Sequence, residues 1–424
     1  MDEISKNIRK ENIGIQIEGF ENKISSLLWV DDVANITTNS KELQKTLDIT
    51  YETSNIYHVE YGKSKSNTQI IKTQKRKRKD QTKEELKLGD IPLEMTDKYK
   101  YLGYIQNTKN NNEDHIKIIK GKTEAEYQKM MALTGNSNFS MIEMETIWKV
   151  VEACITPIIT YAGEIMEMNQ ANFKPANKIL DGILKRILKV PVTTPREALY
   201  IETGLLDVEA IIKKNRISME HRIINGNNQM IKQLLKLTCK DSWAEQNKIL
   251  KVKLNIQEND MISSKYQLRN TLQSQIRKSM EERLKTTAET KSKMQYYIDG
   301  KNKWKVGQRS KYLTKLTRNQ ASTIFKSRTR MLKVKSNYKN GHNDLTCRLC
   351  GEEEETQKHI LEECSLLSME TASITEEMIF KEEITELQKT AKMIETRMKK
   401  LEETNPKSTS LSLTNASVSG ECAH

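Results

Sequence analysis

Four residues between positions 347 and 364 have the types and spacing of a closed metal site: Cys347-x-x-Cys350, eight residues to His359, and four more to Cys364. Three thiolates and one imidazole are the donor set of a tetrahedral structural zinc ion, and that geometry leaves no open position for catalysis. The first pair would form a knuckle ending in Gly351. His359 and Cys364 would lie on or beside a helix beginning near Thr356. Cys154 falls on an apolar helical face and is expected in the core, while Cys239 and Cys422 have no partner nearby in sequence.

A second constellation is the adjacent pair Asp31-Asp32, set between two short apolar runs. Carboxylates at the tip of a hairpin can hold Mg²⁺, a hard cation that takes oxygen ligands. Nucleotidyl transfer uses two such ions about 3.5–4 Å apart. Asp is also common in ordinary turns, so the pair needs its context before it can be read as a site.

The elements around these residues follow from periodicity. Ile24–Val30 and Val33–Thr38 read as two strands joined at Asp31-Asp32. A helix is expected over about 40–55, with Ser40 as its N-cap and Leu43, Leu47 and Thr50 on its inner face. Tyr57–Tyr61 and Thr68–Lys72 suggest a second strand pair, and Tyr99–Ile105 a strand–turn–strand. From 113 onward the period becomes helical. Met141, Met144, Ile147, Trp148, Val151, Cys154, Ile155 and Ile158 form one buried stripe, opened by a capping box of Ser140 with Glu143. Phe173, Ala176, Ile179, Leu180, Ile183, Leu184, Ile187 and Leu188 form another. Thr194-Pro195-Arg196-Glu197 starts a third helix with Thr194 as N-cap, and Gly204 ends it. Leu268, Leu272, Ile276, Met280 and Leu284 make a narrow stripe that can pack on the body or on a partner helix.

Composition sets the class. Charged residues are 30% of the chain, hydrophobic ones 36% and aromatics 5%; 16 Gly and 6 Pro are few for 424 residues, which favours helices. The formal net charge is +13, an excess that attracts polyanions. Glu352–Glu355 and the stretch 376–403 are acidic, so the remainder is more basic still. The segment ahead of the cysteines offers Lys326, Arg328, Arg330, Lys333, Lys335 and Lys339 to phosphates, with Phe325 and Tyr338 for stacking; the alternative is a solvated helix face. Lys75–Lys79 is either a nuclear-localisation or nucleic-acid patch or a solvated loop. No apolar run approaches a membrane span. Clustered cysteines without a hydrophobic leader point to a reducing compartment, nuclear or cytoplasmic.

Leu27-Leu28-Trp29-Val30-Asp31-Asp32-Val33 resembles the catalytic box of reverse transcriptases, and Tyr61-Gly62-Lys63-Ser64-Lys65 and Lys98-Tyr99-Lys100-Tyr101-Leu102-Gly103 follow in the order of the later palm motifs. Tyr161-Ala-Gly163, Thr194–Leu199, Arg328–Leu332 and the Cys/His cluster extend the likeness over roughly residues 14–365. The match is to reverse transcriptases of non-LTR retrotransposons. It departs from the pattern in Trp29 and Val30, where Tyr or Phe and Ala are commoner.

The resemblance implies an α+β chain with the following organisation: 1–110 a partial palm of β-hairpins plus helix, 111–225 a helical thumb and extension, 226–303 a helical linker region, 304–369 the basic segment and zinc knuckle, 370–404 a charged helix, and 405–424 a disordered tail. It implies Asp31, Asp32 and Lys63 as catalytic residues, the aspartates holding Mg²⁺, and Tyr101, Leu102 and Gly103 as the primer grip. It implies RNA or DNA and, if the chain is active, deoxynucleoside triphosphates as partners. The family's fingers and first palm motif, with a further metal-binding Asp, would precede residue 1. Little or no polymerase activity is therefore expected of these residues alone. A non-catalytic RNA- or DNA-binding zinc protein, or a relic reading frame, are the other readings.

Overall fold

The computed structural model describes residues 2–21, 23–62, 66–71, 85–133, 143–237, 241–298, 306–337 and 344–404. Lys63, Lys75–Lys79, Lys339, Tyr338, Met141, Ser140, Cys239, Cys422 and the tail after residue 404 lie outside the described residues. The fold is α+β: mostly helical, with four two-stranded sheets among the described residues. The chain divides into two compact units: Met1–Gly121, Tyr161–Phe173 and Asn215–Leu268; and Lys122–Thr160, Lys174–Lys214 and Arg269–His424.

The first unit holds all eight strands. β1 (Ser26–Trp29) and β2 (Asp32–Asn35) pair antiparallel with Trp29 opposite Asp32. The two-residue turn is thus Val30-Asp31, one position earlier than the expected Asp31-Asp32, and Asp32 opens the second strand. A tight hairpin turn needs a left-handed residue, and Val30 supplies it at φ +55. A β-branched side chain is costly in that conformation.

Helix Ser40–Ile56 lies against this hairpin. Its N-cap is Asn39, not Ser40: the Asn39 side chain accepts from the Glu42 N–H at 2.8 Å. Thr50 Oγ1 accepts from Asn35 at 3.2 Å, which ties β2 to the helix. Leu47 packs with Leu86 and Leu88. The strand expected over Tyr57–Tyr61 does not form. The N–H groups of Tyr57, His58 and Val59 are spent on the helix carbonyls of Ser54 and Asn55 instead. β3 (Asn67–Thr68) pairs in parallel with β6 (Glu94–Met95), and β4 (Lys87–Leu88) pairs with β5 (Ile91–Pro92).

β7 (Lys98–Tyr101) and β8 (Tyr104–Asn107) form the expected second hairpin. Leu102 and Gly103 both take positive φ, +46 and +81, as a two-residue turn that matches strand twist requires. Gly103 is needed for a second reason: a Cβ there would sit 3.0 Å from the Tyr161 hydroxyl. That hydroxyl donates to the Leu102 carbonyl at 2.5 Å. The buried His115 imidazole lies 3.1 Å from the Tyr161 carbonyl and accepts from the Ile105 N–H at 3.4 Å.

Elsewhere in this unit are three short helices, Gln229–Lys236, Trp243–Lys253 and Glu258–Ile262. Arg216 is buried and donates to the carbonyls of Met166 at 2.6 Å, Glu164 at 3.2 Å and Trp243 at 3.3 Å, and to Asn247, which in turn donates to Glu220 at 2.9 Å. Burial pushes the Arg216 guanidinium down to about 10, with Glu220 opposing.

The second unit is helical. Met144–Val150 continues as a π-helix, Val151–Ile155, and then Thr156–Ile159. The wide turn adds a residue to the period, so the inner face is Met144, Ile147, Trp148, Val151, Ile155 and Ile159. Cys154, expected in the core, is exposed for that reason. The stripes from Ala176 to Leu188 and from Leu272 to Leu284 are buried within the chain, with Ile179 partly so. Helix Arg196–Thr203 has Pro195 at its N-cap; Thr194, expected there, is buried with a turn hydrogen bond from its N–H to the Pro191 carbonyl. Gly204 ends the helix at φ +66, where a Cβ would meet the Arg309 backbone nitrogen at 2.4 Å. The charged helix expected over 370–403 is two, Glu376–Phe380 and Ile384–Glu403.

Candidate metal centre and carboxylate hairpin

The four metal-type residues of the second unit converge. One ligand atom from each of Cys347, Cys350, His359 and Cys364 lies within 4.8 Å of the others, and Cys350 Sγ is 3.3 Å from His359 Nε2. Donor atoms around a tetrahedral zinc at bond lengths of ~2.0–2.3 Å stand about 3.3–3.8 Å apart. The cluster could hold a metal ion.

Local structure explains the convergence. An antiparallel bridge joins Thr346 to Glu354, and between them the chain turns back with Cys347 N–H donating to Glu353 O at 2.7 Å and Gly351 N–H to Cys347 O at 3.0 Å. Gly351 takes φ +68. The other two ligands frame a π-turn, His359–Glu363, which Thr356 opens by accepting from the His359 N–H at 3.0 Å. The Cys364 N–H donates to the His359 carbonyl at 2.8 Å, a bond that spans five residues and brings the two ligands to one side. Burial pushes the Cys347 thiol up. Burial opposes ionisation of Cys350 too, but the backbone N–H groups of Glu352 and Glu353, with the Cys347 and His359 side chains, together draw that thiol down.

The sequence reading treated the four glutamates 352–355 as bulk acidity, but two are parts of the site. Glu353 Oε2 lies 3.0 Å from His359 Nδ1, which orients the imidazole and leaves Nε2 for the metal. Glu355 is fully buried, pairs with Arg348 at 2.7 and 2.8 Å, and accepts from the Lys335 N–H at 2.8 Å. Burial works against its charge, yet Arg348 and the backbone donors hold its carboxyl below the usual range. Nothing in the spacing of these acids marks one from another; only the fold does.

The basic segment before the knuckle is largely committed to structure. Arg328 is buried, with both Glu202 carboxylate oxygens 3.1 Å from Nη1 and the rings of Tyr312 and Phe380 at 4.5 and 4.8 Å. Phe325 is wholly buried and cannot stack on a base. Arg330 donates to Gln295 at 2.7 Å. Lys335 donates to the Thr346 carbonyl at 2.7 Å with its side chain 11% exposed. Lys326 is half-buried, and burial with Lys189 nearby lowers its pKa. Lys333 is exposed and pairs with Glu402 at 3.2 Å.

At the hairpin of the first unit Asp31 and Asp32 are both exposed. Asp31 and Val30 line a cleft of about 240 Å³ together with Thr53, Ser54 and Tyr57. Trp29 and Val30 at the tip are 62% and 80% exposed. Of the primer-grip candidates, Tyr101, like Tyr99 on the same strand, has its pKa raised first by burial and then by the negative charge of Asp32. Among the described residues, no third carboxylate, thiol or imidazole gathers with Asp31 and Asp32 within 4.8 Å. Two exposed carboxylates do not fit a pair of Mg²⁺ ions. Among the described residues, no helix is long and apolar enough to cross a membrane. No protein-family model matches the chain, and no curated protein matches it.

Proposed function

We propose that this chain is the palm, thumb and knuckle region of a non-LTR-retrotransposon reverse transcriptase, and that these 424 residues act as a zinc-bearing nucleic-acid-binding protein rather than as a complete polymerase. The observation that carries the reading is the presence in one unit of two tight antiparallel hairpins, Ser26–Asn35 with Asp31 and Asp32 at its tip and Lys98–Asn107 with Leu102-Gly103 at its turn. The Cys₃His cluster is the second support. Zinc supplies a fixed tetrahedral crosslink there and no reaction. A net charge of +13 supplies attraction for phosphate backbones.

Lack of a third carboxylate beside Asp31 and Asp32 among the described residues favours binding over synthesis. The test has two arms on the purified chain. Fluorescence anisotropy with a single-stranded RNA oligonucleotide should give an affinity that falls steeply as salt rises. A primer-extension reaction with Mg²⁺ and all four deoxynucleotides should give little or no product. Robust template-dependent extension removes the binding-only reading, and salt-insensitive or absent RNA binding removes the nucleic-acid reading altogether.

A further inference from the structure

Among the described residues three arginines are buried almost completely, and two of them have carboxylates to answer their charge. Arg328 pairs with Glu202 at 3.1 Å. Arg216 reaches Glu220 through Asn247. Arg397 differs. Its five guanidinium hydrogen bonds run to Thr371 Oγ1 at 3.0 Å, to the carbonyls of Ile360 and Leu361 at 2.8 Å each, and to those of Thr371 and Ala372 at 2.9 Å each. It is 0% exposed, and among the described residues no carboxylate lies within 4.0 Å of it. Carbonyl dipoles satisfy the donors, but they do not neutralise a buried unit charge, which costs several kcal/mol when left unanswered.

The metal cluster offers an opposing charge. Ile360 and Leu361 sit in the π-turn between His359 and Cys364, so Arg397 grips the backbone that carries two of the four ligands. Met398 and Leu401, one and four residues further along the same helix, pack with Cys347, Cys350, Cys364 and Ile360. The last helix, Ile384–Glu403, thus presents one face to the ligands. Three thiolates and a neutral imidazole around a divalent ion sum to one negative charge.

We propose that Arg397 is the counter-cation of a metal–thiolate centre at Cys347, Cys350, His359 and Cys364, and that it makes the docking of helix Ile384–Glu403 depend on the bound metal. Arg397 is a positioning residue: it touches the backbone of the ligand loop and balances the site's charge without entering it. This rests on the metal reading above. Other charged groups near the site pair among themselves: Arg348 with Glu355, Lys358 with Glu363 and Lys400 with Glu370, while Glu353 faces His359.

The test needs no enzymatic activity. Cobalt(II) added to the metal-free full chain should give the absorption of a tetrahedral thiolate site, and zinc should displace it. In Arg397→Met the zinc affinity, measured by competition with a chelating dye, should fall at least tenfold, and in Arg397→Lys by a smaller factor. Hydrogen exchange on the unaltered chain gives a reading that does not depend on either variant folding. Removing zinc with a chelator should unprotect the amides of 384–403 while those of 176–187 stay protected. Absence of a thiolate–cobalt spectrum would sink the metal reading itself. A normal spectrum with unaltered zinc affinity in Arg397→Met, or with residues 384–403 equally protected with and without metal, would sink the role given to Arg397 and leave the metal reading standing.

Discussion

The knuckle and the hairpin tip are both short turns that present ligand-type side chains, yet they are built in opposite ways. At the knuckle three of the four ligands are largely buried, the backbone between them is hydrogen-bonded at every bend, and Glu353, Glu355, Arg348 and Arg397 fill the surrounding layer. At the hairpin both aspartates are exposed, the sheet has two strands, and Val30 holds a conformation its side chain disfavours. A site that only has to hold an ion can be completed within about twenty residues of chain. A site that must hold two ions and a substrate needs carboxylates from several elements, and the described residues bring two. The contrast separates what this chain can do alone from what its hairpin resembles.

The largest effect should come from dismantling the knuckle. Cys364→Ser removes a buried ligand from a site whose metal, on the reading proposed above, would also organise the fold, a class of change that costs more than ~4–5 kcal/mol. Metal content by mass spectrometry should drop, and hydrogen exchange over 344–404 should rise sharply. The matching change at the hairpin, Asp31→Asn, removes an exposed carboxylate and should alter unfolding by no more than ~0.5 kcal/mol. Equal stability losses for the two would erase the distinction drawn between them.

Next in size is Arg328. The sequence places it in a basic segment, where charge reversal would weaken RNA binding. The structure places it against Glu202, which also accepts from Tyr297 at 2.5 Å. Arg328→Met leaves that buried carboxylate without its cation, and breaking such a pair costs ~3–5 kcal/mol. Urea unfolding should report that loss. RNA affinity, measured where the variant is still folded, should be unchanged. A variant as stable as the parent with weakened RNA binding would return Arg328 to the nucleic-acid surface.

These two cases show what the sequence could reveal. Ligand spacing is local, so Cys347, Cys350, His359 and Cys364 were readable without a fold, and so were the β7–β8 turn at Leu102-Gly103 and the stripe from Leu268 to Leu284. Long-range pairing is not local. Nothing near Arg328 announces Glu202, 126 residues away, and nothing near Arg397 announces the π-turn it holds. Cys154 was misplaced because a π-turn breaks the 3.6-residue period on which the inner-face reading depends. The strand at Tyr57–Tyr61 failed because helix capping consumed the N–H groups that a ladder would have used.

A smaller effect is expected at Val30. A left-handed conformation costs a β-branched residue ~1–2 kcal/mol relative to residues that tolerate it. Val30→Asn should therefore stabilise the first unit by about 1 kcal/mol, measured by chemical denaturation followed at Trp29. Asn is preferable to Gly here because it gains the turn without the extra unfolded-state entropy. A destabilised variant would mean that the 80%-exposed Val30 side chain is held by contacts beyond those seen around the cleft.

The smallest and most local effect concerns the tip of the hairpin and its neighbour. Burial, and then the charge of Asp32, raises the pKa of both Tyr99 and Tyr101. Asp32→Asn removes the second cause and leaves the first, so both phenols should ionise at lower pH than in the parent while remaining above the ordinary value of ~10. Ultraviolet difference titration reads this directly. The sign on stability follows from linkage. Each tyrosine has a folded-state pKa above its unfolded one, so the folded state gains nothing at pH 7, where both states keep the proton. As pH rises past ~10 the unfolded chain ionises first, and stability falls until the folded pKa is passed. In Asp32→Asn that alkaline loss should be shallower, with neutral-pH stability unchanged. Titration curves identical to the parent would mean that the Asp32 charge does not reach the two tyrosines and that burial alone raises them.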